Sequence, residues 1–405
     1  MNTKRAPKVR FKGFTDAWEQ RKLGEITEKI TRKNQSLESL LPLTISAQHG
    51  LIDQNSFFNK QIASKDVSGY YLIKNGEFAY NKSYSNAYPW GAIKRLDLHD
   101  KGVLSTLYIV FKPTNVESNF LVSYYSADNW HKEVSIRAAE GARNHGLLNI
   151  SPQDFFETKL LIPNKYEEQT KIGSFFRSLD RLITLHQRKL DRMKELKKAF
   201  LDLIFSQKLR FEGFTDSWEL RKLGEVVTRV QGNDGRMNLP TLTISASSGW
   251  LDQRDRFSSN IAGNEQKNYT LLKKGELSYN HGNSKLAKYG TVFVLRNSQE
   301  ALVPRVYHSF KTTLLSDADF IEYMFSTKNP DRELAKLISS GARMDGLLNI
   351  SYDDFIGIKI SLPYKVEQQK IALFFRSIDN LIAIRQEKIN QLTKLKTTFL
   401  KNMFI

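Results

Sequence analysis

The segment KYEEQTKIGSFFRSLDRLITLHQRKLDRMKELKKAFLDLIF, residues 165–205, decides how this chain is built. Apolar residues recur along it at spacings of three and four: Ile172, Phe176, Leu179, Ile183, Leu190, Met193, Phe200 and Ile204. That is the period of one buried helical stripe, close to the heptad of a coiled coil. After Gly173 no proline or further glycine interrupts it. About forty residues at ~1.5 Å rise make a rod of roughly 60 Å. A helix of that length is unusual inside a compact domain and needs a partner. Residues 365–405 carry the same stripe in Ile371, Phe375, Ile378, Ile382, Ile389, Leu392, Phe399 and Met403, so each rod is the obvious partner of the other.

Outward from the rods, the chain is written twice. RFKGFTDAWEQRKLGE (10–25) returns as RFEGFTDSWELRKLGE (210–225), and LTISA (43–47) as LTISA (242–246). LIKNGEFAYN (72–81) matches LLKKGELSYN (271–280), and GARNHGLLNIS (141–151) matches GARMDGLLNIS (341–351). The constant offset of about 200 residues marks a tandem duplication of one large unit rather than a solenoid of short repeats. We therefore divide the chain into a first globular domain (1–164), a helix (165–205), a second globular domain (206–364) and a second helix (365–405). LPLTISA, GEFAYN, VLSTLYIVFK and TKLLIP, with their copies LPTLTISA, GELSYN, ALVPRVYHSF and IKISLP, are the expected strands. Helices are expected over Ser118–Asn129 and Pro330–Ser339. The expected fold class is α+β: two mixed α/β domains, each followed by a long helix, with the helices pairing as an antiparallel coiled coil about a pseudo-two-fold axis. His186 and Arg385 are polar residues near the middle of the stripes, and an antiparallel pair would bring them together at that axis.

Composition narrows the function. The 405 residues include no cysteine, which excludes disulfides and thiolate chemistry and suits a reducing compartment. The N-terminus has charge but no apolar run, and no stretch approaches a membrane span, so a cytoplasmic protein without membrane contact is expected. The net charge is +18: +6 in 1–164, +4 in 165–205, +3 in 206–364 and +5 in 365–405. Half of the excess sits on the two rods, a fifth of the chain. A basic surface of this size favours a polyanion, with nucleic acid the first candidate.

Two similar domains in one chain suit a duplex with two half-sites, and because the copies differ the half-sites need not form a palindrome. Residues that differ inside a matched frame are then the candidate readers. In the GAR box only Asn144 and His145 differ from Met344 and Asp345, beside the shared Arg143 and Arg343, which suit a phosphate or guanine contact. After the shared Tyr-Asn the halves diverge into KSYSNAYPWG (82–91) and HGNSKLAKYG (281–290). Lys82, Ser83, Asn86, His281, Asn283 and Lys285 there can donate to phosphates or base edges. No phosphate loop, zinc motif, Asn/Asp-Pro-Pro-aromatic tetrapeptide or AdoMet-type glycine loop is present, so no catalytic residue and no metal ligand is assigned. At this point a non-catalytic reader, a DNA-processing enzyme with a dispersed site, and a duplicated DNA-binding regulator or adaptor all remain open.

Taken together, the RFKGFTDAWEQRKLGE boxes, the GAR..GLLNIS boxes and the helix openings resemble the specificity subunit of type I restriction–modification systems over essentially the whole chain. The helix openings carry Pro163, Glu168, Gln169 and Ile172, and Pro363, Glu367, Gln368 and Ile371. The resemblance implies a chain without catalysis of its own that reads a bipartite, asymmetric target in double-stranded DNA, one half-site per domain, with the helices setting the spacer. It implies two modification subunits, which bring AdoMet for adenine methylation, and two restriction subunits, which bring ATP and Mg, with no cofactor in this chain. Phe175, Phe176, Phe374 and Phe375 give the rods more aromatic area than a two-helix seam needs, and are the expected docking residues for the modification subunit.

Overall fold

The computed structural model describes residues 6–46, 50–60, 63–83, 88–138, 147–257, 263–282, 284–338 and 347–405. The chain forms two compact units, Met1–Gln187 with Glu387–Ile405 and Arg188–Gln386. Each unit therefore contains one recognition domain, the beginning of the helix that follows it, and the end of the other helix.

The first unit is built on a four-stranded antiparallel sheet ordered Thr27–Lys29, Ile109–Pro113, Phe78–Asn81, Ala92–Arg95. Three two-stranded pairs surround it: Glu19–Lys22 with Lys159–Ile162, Leu43–Ser46 with Gly50–Asp53, and Tyr71–Lys74 with Lys101–Leu104. The second unit repeats every pairing. Its sheet is ordered Val227–Arg229, His308–Thr312, Leu277–Asn280, Thr291–Val294, and Leu277 faces Phe310 as Phe78 faces Phe111. VLSTLYIVFK and ALVPRVYHSF, expected as single strands, each break in two. Tyr108 N donates to Ser105 O and Tyr307 N to Pro304 O, closing a turn inside each run. Pro304, without an N–H, cannot continue a ladder. The helix expected over 118–129 ends at Tyr124, and a separate helix, His131–Arg137, follows a turn rich in Ser, Asp and Asn.

The rods are the helices Tyr166–Phe205 and Lys365–Met403. In the first unit the start of one lies against the end of the other: the Phe175 and Phe399 rings meet edge-on at 5.0 Å, and Lys396 Nζ donates to Asp180 Oδ1 at 2.6 Å. In the second unit Phe374 meets Phe200 edge-on at 5.4 Å, and Lys197 Nζ donates to Asp379 Oδ1 at 2.6 Å. The pairing is antiparallel in both. Each core is closed by the far end of the other helix. Phe404 packs among Trp18, Phe120 and Phe176, and Phe205 packs among Trp218, Phe320 and Phe375. Burying each such ring is worth roughly 1.5–3 kcal/mol. Val9 N donates to Asn402 O at 3.0 Å in the first unit, the same bond that Leu209 N makes to Leu203 O at 3.1 Å in the second.

The helix openings explain the Pro…Glu-Gln…Ile pattern. Glu168 is fully buried and accepts two bonds from Arg10, at 2.6 and 2.7 Å, and Glu367 accepts from Arg210 at 3.0 and 2.6 Å. Gln169 Nε2 donates to Pro163 O while its Oε1 accepts from Glu117 N; Gln368 does the same with Pro363 O and Asp317 N. The pattern is a latch that fastens the RF(K/E)GF segment and a neighbouring helix to the rod. Glu117 and Asp317 in turn cap those neighbouring helices, accepting from Phe120 N and Phe320 N.

Candidate nucleic-acid interface

The described parts of the two divergent loops lie at the end of one strand pair in each sheet, beside residues 147–151 and 347–351. In the first unit Tyr80 and Asn81 end a central strand, and Gly91 directly precedes the return strand, whose Ala92 is paired with Asn81. Tyr80 Oη donates to Trp90 O at 2.9 Å, and a Cβ at Gly91 would run into Asn81 O, so the loop stem is fixed at both sides. Gly91 has φ +79°, in the region that glycine tolerates. The second unit holds the same stem with Tyr279, whose Oη donates to Tyr289 O at 2.6 Å, and Gly290 at φ +82°. The shared residues are the stem; the residues that differ are what it displays.

The box 147–151 is tied to the same stem. Leu148 N donates to Lys82 O at 2.9 Å, and Ser83 bridges Leu147. In the second unit Leu348 N donates to His281 O at 2.8 Å, and Gly282 bridges Leu347. Below the box, Ser151 and Ser351 cap short helices, each accepting from the backbone N–H three residues on. Phe155 stacks on Tyr80 at 4.6 Å, and Phe355 on Tyr279 at 4.3 Å. Each displayed loop thus rests on a stacked aromatic pair.

Lys82, Ser83, His281 and Lys285 lie in this region. Ser83 and Lys285 are exposed. The Lys82 ammonium lies 3.4 Å from Ile150 O, and burial lowers its pKa from the ordinary lysine value. His281 is only 5% exposed, with Nδ1 2.7 Å from Leu348 O and Nε2 2.9 Å from Val306 O. It is a strut between the loop, the box and a neighbouring turn. His308 stacks on it at 4.9 Å and places Nε2 2.9 Å from Ile350 O. Burial depresses the His308 pKa from 6.5 to about 4, so this imidazole is neutral at pH 7. The first unit has Lys82 and Ile109 at these two positions. Asn86, Arg143, Asn144, His145, Asn283, Arg343, Met344 and Asp345 lie outside the described residues.

The four rod phenylalanines are used inside the chain. Phe176 and Phe375 are buried, Phe175 packs on Phe11 and Phe399, and Phe374 packs on Phe200 and Phe211. Sequence alone did not show these partners, because they are 163 to 224 residues away from Phe175 and Phe374. His186 belongs to the first unit and Arg385 to the second.

A third segment joins the second unit's loop. The hairpin Leu242–Ser245/Gly249–Asp252 continues into the helix Gln253–Phe257, and Asn280 Nδ2 donates to Ile244 O at 3.3 Å. The sequence signal of this segment is the same as for the loops: DQNSFF (53–58) diverges into DQRDRF (252–257) after a matched start. Among the described residues no group of three or more His, Cys, Asp or Glu is placed to hold a metal ion, and no helix is long and apolar enough to cross a membrane.

Comparison with known proteins agrees with this arrangement. Residues 15–195 match the family model for the type I restriction modification DNA specificity domain. The MjaVIII type I restriction enzyme specificity subunit of Methanocaldococcus jannaschii is 23% identical over 323 residues, 74% of this chain and 72% of that protein. The solved type-I restriction-modification system S subunit from M. genitalium has the same fold at 13% identity, with a TM-score of 0.61 over 99% of each chain. The segment matched by the family model recurs in the second half of this chain with its boxes in the same order. The first half of this chain thus matches a type I restriction modification DNA specificity domain, and the chain is similar over most of its length to a specificity subunit.

Proposed function

We propose that each unit reads one half of a bipartite, asymmetric target in double-stranded DNA and that the paired helices set the distance between the halves. The observation that carries this is the division between stem and display: Tyr80, Gly91, Leu148 and Phe155 have counterparts in Tyr279, Gly290, Leu348 and Phe355, while the residues they hold up differ. A duplicated scaffold with unlike tips suits two unlike half-sites. The net charge of +18 supplies the sequence-independent attraction to phosphate. His186 and Arg385 would mark the middle of the spacer.

The chain works without catalysis of its own. Two modification subunits would bring AdoMet and methylate adenine, and two restriction subunits would bring ATP and Mg. Phe176 and Phe375 are buried and Phe175 and Phe374 half-buried in the chain's own packing, so an exposed apolar row on each helix is the larger area open to partners. Leu182, Leu185, Leu196 and Leu203 on the first helix, and Leu381, Ile384 and Leu395 on the second, are all exposed and fall on one heptad face. Replacing Leu182 and Leu185 with Glu is expected to abolish co-purification of the modification subunit while the isolated chain still folds. Retained co-purification would rule out this row.

The test of the reading is methylation-site mapping after exchange of residues 1–164 for the same segment of a relative with a different target. One half-site changes and the other half-site and the spacer stay. Change in both half-sites would overturn the modular reading, and methylation by the purified chain alone would overturn its non-catalytic role.

A further inference from the structure

We infer that Arg256 is a specificity-determining residue of the second unit, an assignment that rests on the half-site reading above. Three observations lead to it. First, Arg256 and Asn280 converge on one acceptor: Arg256 Nη1 donates to Ile244 O at 3.1 Å and Asn280 Nδ2 donates to the same oxygen at 3.3 Å. Asn280 is the last shared residue before the divergent loop, and its Oδ1 accepts from Gly282 N at 3.0 Å. The Arg256 guanidinium is therefore beside the root of the display loop.

Second, it is anchored yet exposed. Its guanidinium lies over the Phe257 ring at 5.1 Å, and one nitrogen is committed to the hairpin backbone, while the residue as a whole is exposed. Among the described residues no carboxylate pairs with it, whereas Arg236 and Arg296 each engage two carboxylates. An arginine fixed through part of its donor fork keeps the rest for a planar acceptor pair, and guanine O6 and N7 in the major groove are such a pair. Holding the fork in place before binding lowers the ordering cost.

Third, the first unit does not share it. The same position there is Phe57, also exposed, in a helix of the same length. A residue needed for the scaffold would match, as the stem tyrosines and glycines do. A residue that reads one half-site need not. Arg256 thus extends the reading surface of the second unit from two segments to three.

The experiment is methylation-site mapping of the complex assembled with wild-type chain, Arg256→Gln and Arg256→Phe. Gln keeps a donor for Ile244 O and removes the charge; Phe is the residue of the first unit. The expected result is about tenfold or greater loss of base preference at one or two positions of the second half-site. The first half-site is unchanged, and both variants assemble with the modification subunit. Methylation that falls equally for all sequences, with base preference intact, assigns Arg256 to the phosphate backbone and overturns the proposal. Altered preference in both half-sites overturns it also. If Arg256→Phe does not fold, the Gln variant alone decides. A wild-type complex without any bipartite pattern overturns the half-site reading and this assignment together, whereas an intact pattern unmoved by Arg256→Gln overturns this assignment alone.

Discussion

The two units of this chain place the same residues inside and different residues outside. Buried Arg–Glu latches, stem tyrosines, stem glycines and stacked phenylalanines recur at an offset of about 200 residues, bond for bond. At the root of the loop, in the strand beneath it and in the short helix after the hairpin the copies part: Lys82 against His281, Ile109 against His308, Phe57 against Arg256. Each unit is a control for the other. A position that matches is held by packing, and a position that differs is free to be tuned, unless a neighbour has changed with it.

The latch is where the units are most alike, so equal damage is expected there. Glu168→Ala removes both acceptors of the half-buried Arg10, and Glu367→Ala removes two from Arg210, which keeps its bond to Asp216 O. Each is expected to destabilise its own unit by about 1–3 kcal/mol. Hydrogen exchange resolved by unit would show the loss confined to the unit mutated. A large effect in one unit and none in the other would break the equivalence.

One core position differs in a compensated way. Gly173 lies against the capped helix start, where a Cβ would meet Phe120 N at 2.5 Å and Glu117 Oε2 at 2.6 Å. The second unit has Ala372 there, and its cap is the shorter Asp317. Gly173→Ala is expected to cost about 1–3 kcal/mol through overpacking. Adding Glu117→Asp should recover part of it, since the backbone approach remains. Denaturant titration of the single and double variants measures the coupling, and strict additivity would show that the two differences are unrelated.

The histidine pair separates the units by pH. His308 has a folded pKa of about 4 against an ordinary 6.5, so the unfolded chain binds the extra proton first. Its contribution to stability is full above pH 6.5 and is lost as pH falls towards 4. Between pH 7 and pH 5 this amounts to about 2 kcal/mol in the second unit. His308→Ile, the first unit's residue, should flatten that slope. An unchanged slope in this variant would remove His308 from the account. The smallest effect on stability is expected on the exposed helix row, where Leu381→Glu should change it by about 0.5 kcal/mol or less and yet weaken partner binding in a pull-down.

Much of this was legible in the sequence because duplication and period are local signals. The rods, their stripes, the repeat frame and the two display loops all came from spacing and self-comparison. The latch pattern was visible as Pro163, Glu168, Gln169 and Ile172, but its purpose was not, because Arg10 is 158 residues from its partner. For the same reason Phe175 and Phe374 read as spare area until the far helix ends arrived to cover them. The strand breaks at 105–108 and 304–307 fall inside runs that are apolar on both sides, with only Ser105-Thr106 and Pro304-Arg305 to mark the turn. The segment of Arg256 also diverges within a matched frame, but its place beside the loop depends on a contact between Asn280 and Ile244, 36 residues apart, that no local pattern shows.

The most direct test of the central claim is methylation-site mapping of chains in which the loops 82–91 and 281–290 are exchanged between the units. The stem tyrosines and glycines match, and exchanging Ile109 and His308 along with the loops keeps the His281–His308 stack, so the exchange should fold and assemble. The account predicts new base preferences in both half-sites with the spacer unchanged. Retention of the original target would contradict it, since the information would then reside in the scaffold that the two units share.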